Sequence, residues 1–196
     1  MSSLPGSVIS RFSSRLVIFV GPSGSGKDTL MVKARDQILS EDLDIHIVQR
    51  WITRTHDETE GFRSITKEEF QHCVDQNQFA LHWEIYGNCY GVPWSEINPF
   101  LEKGIVLLNL SRAEVNRVKT LYPKCKIVLV EVSKNLAIDR IKQRKRDQGK
   151  MLDARLKRLQ EKIDLPFIPD LIIKNNSRAI NSVIVILSEF LRASLY

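Results

Sequence analysis

Cysteine is scarce in this chain, and the positions of the few cysteines argue against a zinc site. Among the 196 residues there are three, Cys73, Cys89 and Cys125, which lie far apart in the sequence. No two of them form a C-x-x-C pair, and no histidine cluster has the spacing of a zinc site. We therefore expect no zinc site, and isolated thiols of this kind are typical of a reducing, cytoplasmic environment.

Long hydrophobic runs are missing as well. No stretch approaches the ~18 apolar residues that cross a membrane, so we expect neither a membrane span nor a membrane partner. Hydrophobic residues make up 43% of the chain and charged residues 27%, which is ordinary for a globular protein. A chain of 196 residues is short enough for one hydrophobic core, and no internal repeat or low-complexity linker divides it.

The N-terminal segment contains no acidic residue. Residues 1–14 are rich in serine, and we interpret them as a flexible tail that precedes a single domain over residues 15–196. An organelle transit peptide is the alternative interpretation, because such peptides are also serine-rich and poor in acids. Nothing in the segment indicates a secretory signal.

Acidic residues are fewer than basic residues in this chain. The 29 lysines and arginines outnumber the 23 aspartates and glutamates, which gives a net charge of +6. Such a balance favours nucleic acid, an anionic surface or a heavily phosphorylated small molecule as partner. The most basic stretch, residues 140–158, contains no aromatic side chain on which single-stranded nucleic acid would stack. We therefore expect a small phosphorylated substrate and no nucleic acid; by itself, the basic stretch would be a solvated helix face.

The most informative motif is the sequence G-P-S-G-S-G-K-D-T at residues 21–29. It follows the apolar run 16–20 and leads directly into a helical pattern, which is the context of a phosphate-binding loop. Its glycines let backbone N–H groups point inward at the positive end of the helix, and the lysine reaches the outer phosphates. We expect ATP to bind through Gly21, Pro22, Ser23, Gly24, Ser25, Gly26, Lys27, Asp28 and Thr29.

One position departs from the phosphate-loop pattern G-x-x-x-x-G-K-[ST]. Asp28 stands where a hydroxyl normally holds Mg²⁺. One interpretation is that Asp28 binds Mg²⁺ directly or through water. The other is an acidic residue at the positive end of a helix, worth about 0.3–1 kcal/mol. Both remain open.

The order of the predicted elements indicates an α/β fold. Continuous apolar runs at residues 16–20, 105–108 and 126–130 are typical of parallel strands buried on both faces. Shorter strands at 45–48 and 171–173 complete a series in which strands alternate with helices, the last helix being 179–191. This series predicts a parallel sheet between two helical layers, with ligands bound at the carboxyl ends of the strands.

We interpret residues 50–95 as a subdomain inserted into a core that is formed by residues 15–49 and 96–196. Within the insertion, Thr66 to Glu69 form a capping box, and residues 79–90 predict a hairpin with its turn at residues 86–88. Arg50, Arg54 and Tyr90 would grip a phosphate there. The alternative for the two arginines is a surface position without function.

Together these motifs resemble the guanylate kinase superfamily over nearly the whole chain. The loop at 21–27, the pair Thr53-Arg54 and the turn at 87–91 are similar to the family's phosphate loop, phosphate grip and flap. The resemblance implies the fold of P-loop nucleoside-monophosphate kinases, with ATP and Mg²⁺ as cofactors, an arginine-rich lid at 140–156, and Asn175 beside the adenine. It further implies that the transferred phosphoryl group is stabilised by Lys27, Arg140, Arg144 and Arg155.

At several acceptor-binding positions this chain differs from guanylate kinases, and these differences indicate another acceptor. Leu81 and the stretch 109–111 stand where those enzymes carry the carboxylates that recognise guanine, while Phe62 and Val92 replace a phosphate-contacting tyrosine and a serine. These regions instead resemble the ribose 1,5-bisphosphate phosphokinases of phosphonate breakdown, whose loop also ends in aspartate. That resemblance implies synthesis of 5-phosphoribosyl 1-diphosphate, with the acceptor bound by Arg50, Thr53, Arg54, Tyr90, Asn109, Ser111 and Arg112.

Two other functions remain as alternatives on sequence grounds. One is a guanylate kinase with relaxed base recognition. The other is an interaction module without catalysis, although such modules typically have eroded phosphate loops and lids. The sequence leaves a monomer and a homodimer equally open.

Overall fold

The computed structural model describes residues 11–38, 43–54, 61–85, 87–143, 153, 156–157, 159, 165, 167–176 and 180–195. Strands in these ranges are β1 (Leu16–Val20), β2 (Ile45–Ile47), β3 (Arg50–Ile52), β4 (Phe62–Ser64), β5 (Phe79–Ile85), β6 (Asn88–Pro93), β7 (Ile105–Asn109), β8 (Lys126–Glu131) and β9 (Leu171–Lys174). The α-helices are α1 (Lys27–Ile38), α2 (Lys67–Asp75), α3 (Asn98–Leu101), α4 (Val115–Leu121), α5 (Lys134–Gln143) and α6 (Ile180–Ala193).

A five-stranded parallel sheet forms the centre of the molecule, in the order β2-β7-β1-β8-β9. All five residues of β1 are buried, because neighbouring residues point to opposite faces and both faces are covered. Leu16 and Ile18 pack with α3 and α4 on one face, while Val17 and Phe19 pack with α1 and α6 on the other. The predicted three-layer α/β architecture with a parallel sheet is confirmed.

A second, four-stranded sheet has the order β4-β3-β6-β5 and lies within residues 50–93. Strands β3 and β4 are parallel, whereas β6 pairs antiparallel with both β3 and β5. Helix α2 begins with the predicted capping box: the Glu69 N–H donates to Thr66 Oγ1 at 3.1 Å, and the Thr66 N–H donates to Glu69 Oε2 at 2.7 Å.

The hairpin of β5 and β6 has a tighter turn than the sequence predicts. Asn88, which we assigned to the turn, belongs to β6 and pairs with Ile85. Two residues therefore connect the strands, and Gly87 supplies the positive φ of 73° that such a turn requires. This register places Trp83 directly opposite Tyr90.

The two sheets are held together where the chain passes between them. The Glu96 carboxylate accepts a hydrogen bond from the Gln49 N–H at 3.0 Å and lies 2.9 Å from His46 Nε2. The His46 ring stacks on Phe100 with centroids 3.6 Å apart. Gln49 precedes the second sheet and Glu96 follows it. The Glu96 carboxylate therefore links the segment that enters this sheet to the segment that leaves it.

At the N-terminus, packed structure begins before the boundary predicted for the tail. Ser13 is fully buried, and the Arg15 guanidinium lies 4.5 Å from the centroid of the Phe12 ring. Within the described part of the chain, none of the helices has both the length and the apolar character required to cross a membrane.

The three cysteines carry free thiols, and Cys73 and Cys125 are buried. Burial raises the pKa of the Cys125 thiol to about 12. This thiol therefore stays protonated at neutral pH and does not act as a nucleophile.

Candidate active site

A cleft of about 980 Å³ lies at the carboxyl edge of the central sheet, between the glycine loop and the second sheet. Its size is within the range of small-molecule sites. One wall consists of residues 21–24 and 26–29, and the opposite wall comes from β3, β5 and β6. The position agrees with the rule that open parallel sheets bind ligands beyond the carboxyl ends of their strands.

The glycines of the loop have conformations that other residues avoid. Gly24 and Gly26 have φ angles of 77° and 84°. A Cβ atom on Gly24 would lie 2.7 Å from the Ala137 carbonyl oxygen, and one on Gly26 would lie 2.6 Å from Asn175 Nδ2. Both the positive φ and the close approach therefore require glycine.

Lys27 is the first residue of α1, and its side chain folds back across the loop. The ammonium group donates to the carbonyl oxygens of Gly21 and Pro22, both at 3.0 Å, and to Ser25 Oγ at 3.3 Å. These contacts fix the charge beside the backbone N–H groups at the start of the helix. An anion at this point meets both the ammonium and the positive end of the helix.

Arg140 and Asn175 brace the loop from behind. The Asn175 side chain is 5% exposed, and its Nδ2 donates to the Ser25 carbonyl at 2.8 Å. Arg140 donates from Nη1 to the Gly24 carbonyl at 3.2 Å and from Nη2 to the Asn175 carbonyl at 3.3 Å. Neither residue lines the cleft, so the geometry gives both a role in holding the loop. Their sequence-predicted roles toward ATP stay predictions.

Two of the predicted catalytic arginines, Arg144 and Arg155, lie outside the described residues. Most of the predicted lid does so as well. The described structure gives its first part, where α5 ends at Gln143.

The carboxylate of Asp28 is held by an amide from the neighbouring strand. Asn109 ends β7, and its Nδ2 donates to Asp28 Oδ1 at 2.6 Å. Both side chains line the cleft. An oriented carboxylate beside a phosphate loop suits Mg²⁺, which proteins bind through one or two carboxylates together with substrate phosphates. The residues present thus fit this ion, and binding of Mg²⁺ by Asp28 stays a prediction.

The opposite wall carries most of the residues predicted to bind the acceptor. Arg50, Arg54 and Tyr90 line the cleft from the second sheet, and Ser111 and Arg112 line it from the segment after β7.

Thr53 differs from this prediction. Its Oγ1 accepts a hydrogen bond from the Cys89 N–H at 2.8 Å, and its N–H donates to the Cys89 carbonyl at 3.1 Å. The side chain is absent from the cleft lining. Thr53 thus extends the pairing of the second sheet past the end of β3. The sequence Thr53-Arg54 alone does not indicate that Cys89 is the partner.

The charge of the cleft is predominantly positive. Among its described lining residues, the acids are Asp28 and Asp36, and Asp36 pairs with Arg35 at 2.8 Å. The basic lining residues are Lys27, Lys33, Arg50, Arg54 and Arg112. This excess of cations matches a ligand with several phosphate groups.

The sequence did not single out the apolar part of the cleft as a site. Trp83 and Ile85 line it from β5, whereas Leu81, two residues earlier, is 1% exposed and belongs to the core, together with Val92. The alternation along a strand was the signal that would have placed Trp83 and Ile85 on one face. No carboxylate stands on this wall among the described residues.

The fold and the site together define a class of protein. A glycine loop after the central strand of a five-stranded parallel sheet, an inserted second sheet and a cationic cleft between them are the features of a P-loop kinase. The family model for guanylate kinase matches residues 13–194. The chain belongs to the guanylate kinase family.

Several similar proteins carry a different name within this family. The chain is 35% identical over 143 residues to the ribose 1,5-bisphosphate phosphokinase PhnN of Brucella melitensis, covering 72% of this chain and 74% of the relative. It is 34% identical over 166 residues to PhnN of Desulfomicrobium baculatum, covering 84% and 87%. Among solved structures, guanylate kinase from Anaplasma phagocytophilum superposes with a TM-score of 0.61 at 17% identity, covering 92% of this chain and 85% of that one.

Proposed function

We propose that this protein transfers the γ-phosphoryl group of ATP to the 1-phosphate of ribose 1,5-bisphosphate. An oxygen of the 1-phosphate forms a bond to the γ-phosphorus, and the bond from that phosphorus to the β,γ-bridging oxygen breaks. The products are 5-phosphoribosyl 1-diphosphate and ADP. The relatives named PhnN, which are phosphokinases of this substrate by name, support the proposal.

The observation that carries the proposal is the apolar wall of the acceptor side. Trp83 and Ile85 line this wall, while Leu81, which stands where guanylate kinases carry a guanine-recognising carboxylate, is buried in the core. A nucleobase against this wall would bury polar edge atoms without partners, which costs about 1–3 kcal/mol for each group. A sugar bisphosphate has no such edge, and its charges suit the cationic residues Arg50, Arg54 and Arg112.

In this reaction the residues of the chain bind the phosphates and neutralise their charge. The nucleophile is a phosphate oxygen, which is ionised at neutral pH because the second pKa of a phosphate monoester is about 6. No general base is needed for it. Lys27 neutralises charge on the transferred group, and Arg50, Arg54 and Tyr90 hold the acceptor in line with it. Mg²⁺, held by Asp28, would neutralise charge on the β- and γ-phosphates when bound.

A comparison of two acceptors tests the proposal. The protein is incubated with ATP, Mg²⁺ and either ribose 1,5-bisphosphate or GMP, and ADP release is measured. We expect kcat/KM for ribose 1,5-bisphosphate to exceed that for GMP by about 10⁴-fold, the discrimination that lost hydrogen bonds produce. Rapid turnover of GMP without turnover of the bisphosphate would make the protein a guanylate kinase. Turnover of neither acceptor would favour the non-catalytic interaction module.

The role of Asp28 in metal binding gives a separate prediction. Asp28→Asn keeps the shape and the contact with Asn109 but removes the charge, so the Mg²⁺ concentration for half-maximal activity should rise by about 10-fold or more. The measurement is a Mg²⁺ titration of initial rate at saturating ATP and acceptor. Asp75→Asn, at an exposed position of α2, is the matched control. An unchanged titration would leave Asp28 with the helix-start role alone.

A further inference from the structure

Two of the residues proposed to hold the acceptor lie against aromatic rings in the cleft. Trp83 and Tyr90 are paired across β5 and β6, with their rings parallel within 7° and their centroids 5.5 Å apart. The guanidinium carbon of Arg54 lies 5.0 Å from the centroid of the Phe62 ring. All four side chains line the cleft. Each polar group of the acceptor site is thus paired with an aromatic ring.

The Trp83 ring restricts where the Tyr90 hydroxyl is placed. A phenolic oxygen lies in the plane of its ring, so a partner that fixes the ring plane also fixes the oxygen. Stacked aromatic pairs of this kind favour one arrangement by about 2- to 13-fold in equilibrium constant. Trp83 is itself anchored, because it packs against the core cluster that contains Leu81 and Val92.

The Phe62 ring has the same relation to Arg54. Phe62 is 3% exposed, so its ring is held firmly by its surroundings. A guanidinium over the face of a buried ring is attracted to it and keeps a defined orientation. Forked recognition of a phosphate depends on that orientation, because its N–H groups diverge in one plane.

We propose that Trp83 and Phe62 are positioning residues of the acceptor site. Trp83 acts through the hydroxyl of Tyr90, and Phe62 acts through the guanidinium of Arg54. Neither ring needs to contact the acceptor phosphate. The inference rests on the proposed function for the identity of the acceptor, and on the geometry alone for the two ring pairs.

A double-mutant cycle tests the first pair. The variants are Trp83→Leu, Tyr90→Phe and their combination, and kcat/KM for the acceptor is measured at saturating ATP. Leucine keeps apolar volume without a ring face, and Tyr90→Phe keeps the ring without its hydroxyl. We expect each single variant to lose about 10-fold, and the combination to lose no more than about 2-fold beyond Tyr90→Phe. Trp83→Phe, which retains a ring, should stay within about 3-fold of wild type, and KM for ATP should not change.

The second pair is tested in the same way with Phe62→Leu, Arg54→Ala and their combination. For either pair, losses that multiply in the combined variant would overturn the proposal. Equal effects on the KM of ATP and of the acceptor would do so too, since they indicate a general packing defect. If Trp83→Leu or Phe62→Leu does not fold, as judged by circular dichroism, the cycle is run with methionine, an adaptable apolar side chain without a ring, at that position.

The design separates this proposal from the proposed function. Wild-type turnover of ribose 1,5-bisphosphate or of GMP decides the acceptor, and the cycles are then measured with whichever acceptor is used. If the wild type turns over neither, the cycles are measured on the Kd of ribose 1,5-bisphosphate by calorimetry. Absence of binding in that assay would overturn both proposals, whereas additive cycles with normal turnover would overturn only this one.

Discussion

Replacing Lys27 with alanine is expected to lower kcat by about 10²–10³-fold while the protein remains folded, an effect comparable to the loss of one preorganised charge-stabilising donor. The ammonium is fixed at 3.0 Å from the carbonyl oxygens of Gly21 and Pro22. Its charge is therefore held beside the loop, where it offsets the charge that develops on the transferred phosphoryl group. The measurement is the steady-state rate of ADP release at saturating ATP and acceptor.

One control variant and one stability measurement define what that result means. Lys124→Ala removes an exposed lysine from the turn before β8, and its kcat should equal that of the wild type. Thermal unfolding of Lys27→Ala should show a folded protein, since the residue is partly exposed and its loss costs hydrogen bonds worth about 0.5–1.5 kcal/mol each. A folded Lys27→Ala protein with near-normal kcat would refute the assignment of the loop as the site of phosphoryl transfer.

The parts of the fold that could be predicted from sequence are those that local patterns determine. Strand β1 was recognisable because a run of five apolar residues is typical of a strand buried on both faces, and all five residues are buried. The start of α2 was recognisable because the Thr66 and Glu69 side chains satisfy backbone groups within three residues. In both places the deciding interactions follow directly from neighbouring sequence.

The site was predictable only where its residues belong to one segment. The loop at 21–29 could be recognised because its residues are consecutive, whereas the partner of Thr53 lies 36 residues away in the sequence. The pair of Arg54 and Phe62 depends on the parallel pairing of β3 with β4. The pair of Trp83 and Tyr90 depends on a two-residue turn, and the three-residue turn predicted at 86–88 would have shifted the register by one residue.

The hydrogen bond between Asn109 and Asp28 connects two unusual positions that are far apart in the sequence. Asp28 departs from the phosphate-loop pattern, and Asn109 belongs to the stretch 109–111, which stands where guanylate kinases carry a guanine-recognising carboxylate. In the structure Asn109 donates to Asp28 at 2.6 Å, so each departure supplies the partner of the other. A carboxylate at both positions would place like charges in contact, which raises the pKa of one of them and disfavours a shared site without a cation.

Replacing Arg140 with alanine is expected to lower kcat by about 10²-fold and to raise the KM for ATP, because a small misplacement of a group that positions the substrate has an effect of about this size. The guanidinium bridges the Gly24 carbonyl at 3.2 Å and the Asn175 carbonyl at 3.3 Å. Its removal would release the loop from the segment after β9 and would also remove a positive charge near the phosphates. Steady-state kinetics with ATP as the varied substrate measures both effects.

Arg140→Lys separates the two contributions of this residue. Lysine retains the charge but cannot donate to two carbonyl oxygens in one plane, so a kcat between those of wild type and Arg140→Ala would assign part of the effect to bracing of the loop. Lys134→Ala, at an exposed position of the same helix, controls for loss of charge in general and should behave as wild type. If Arg140→Lys and Arg140→Ala were equally impaired, charge would contribute nothing, and Arg140 would act only by holding the loop. Wild-type values of kcat and KM in Arg140→Ala would exclude both contributions.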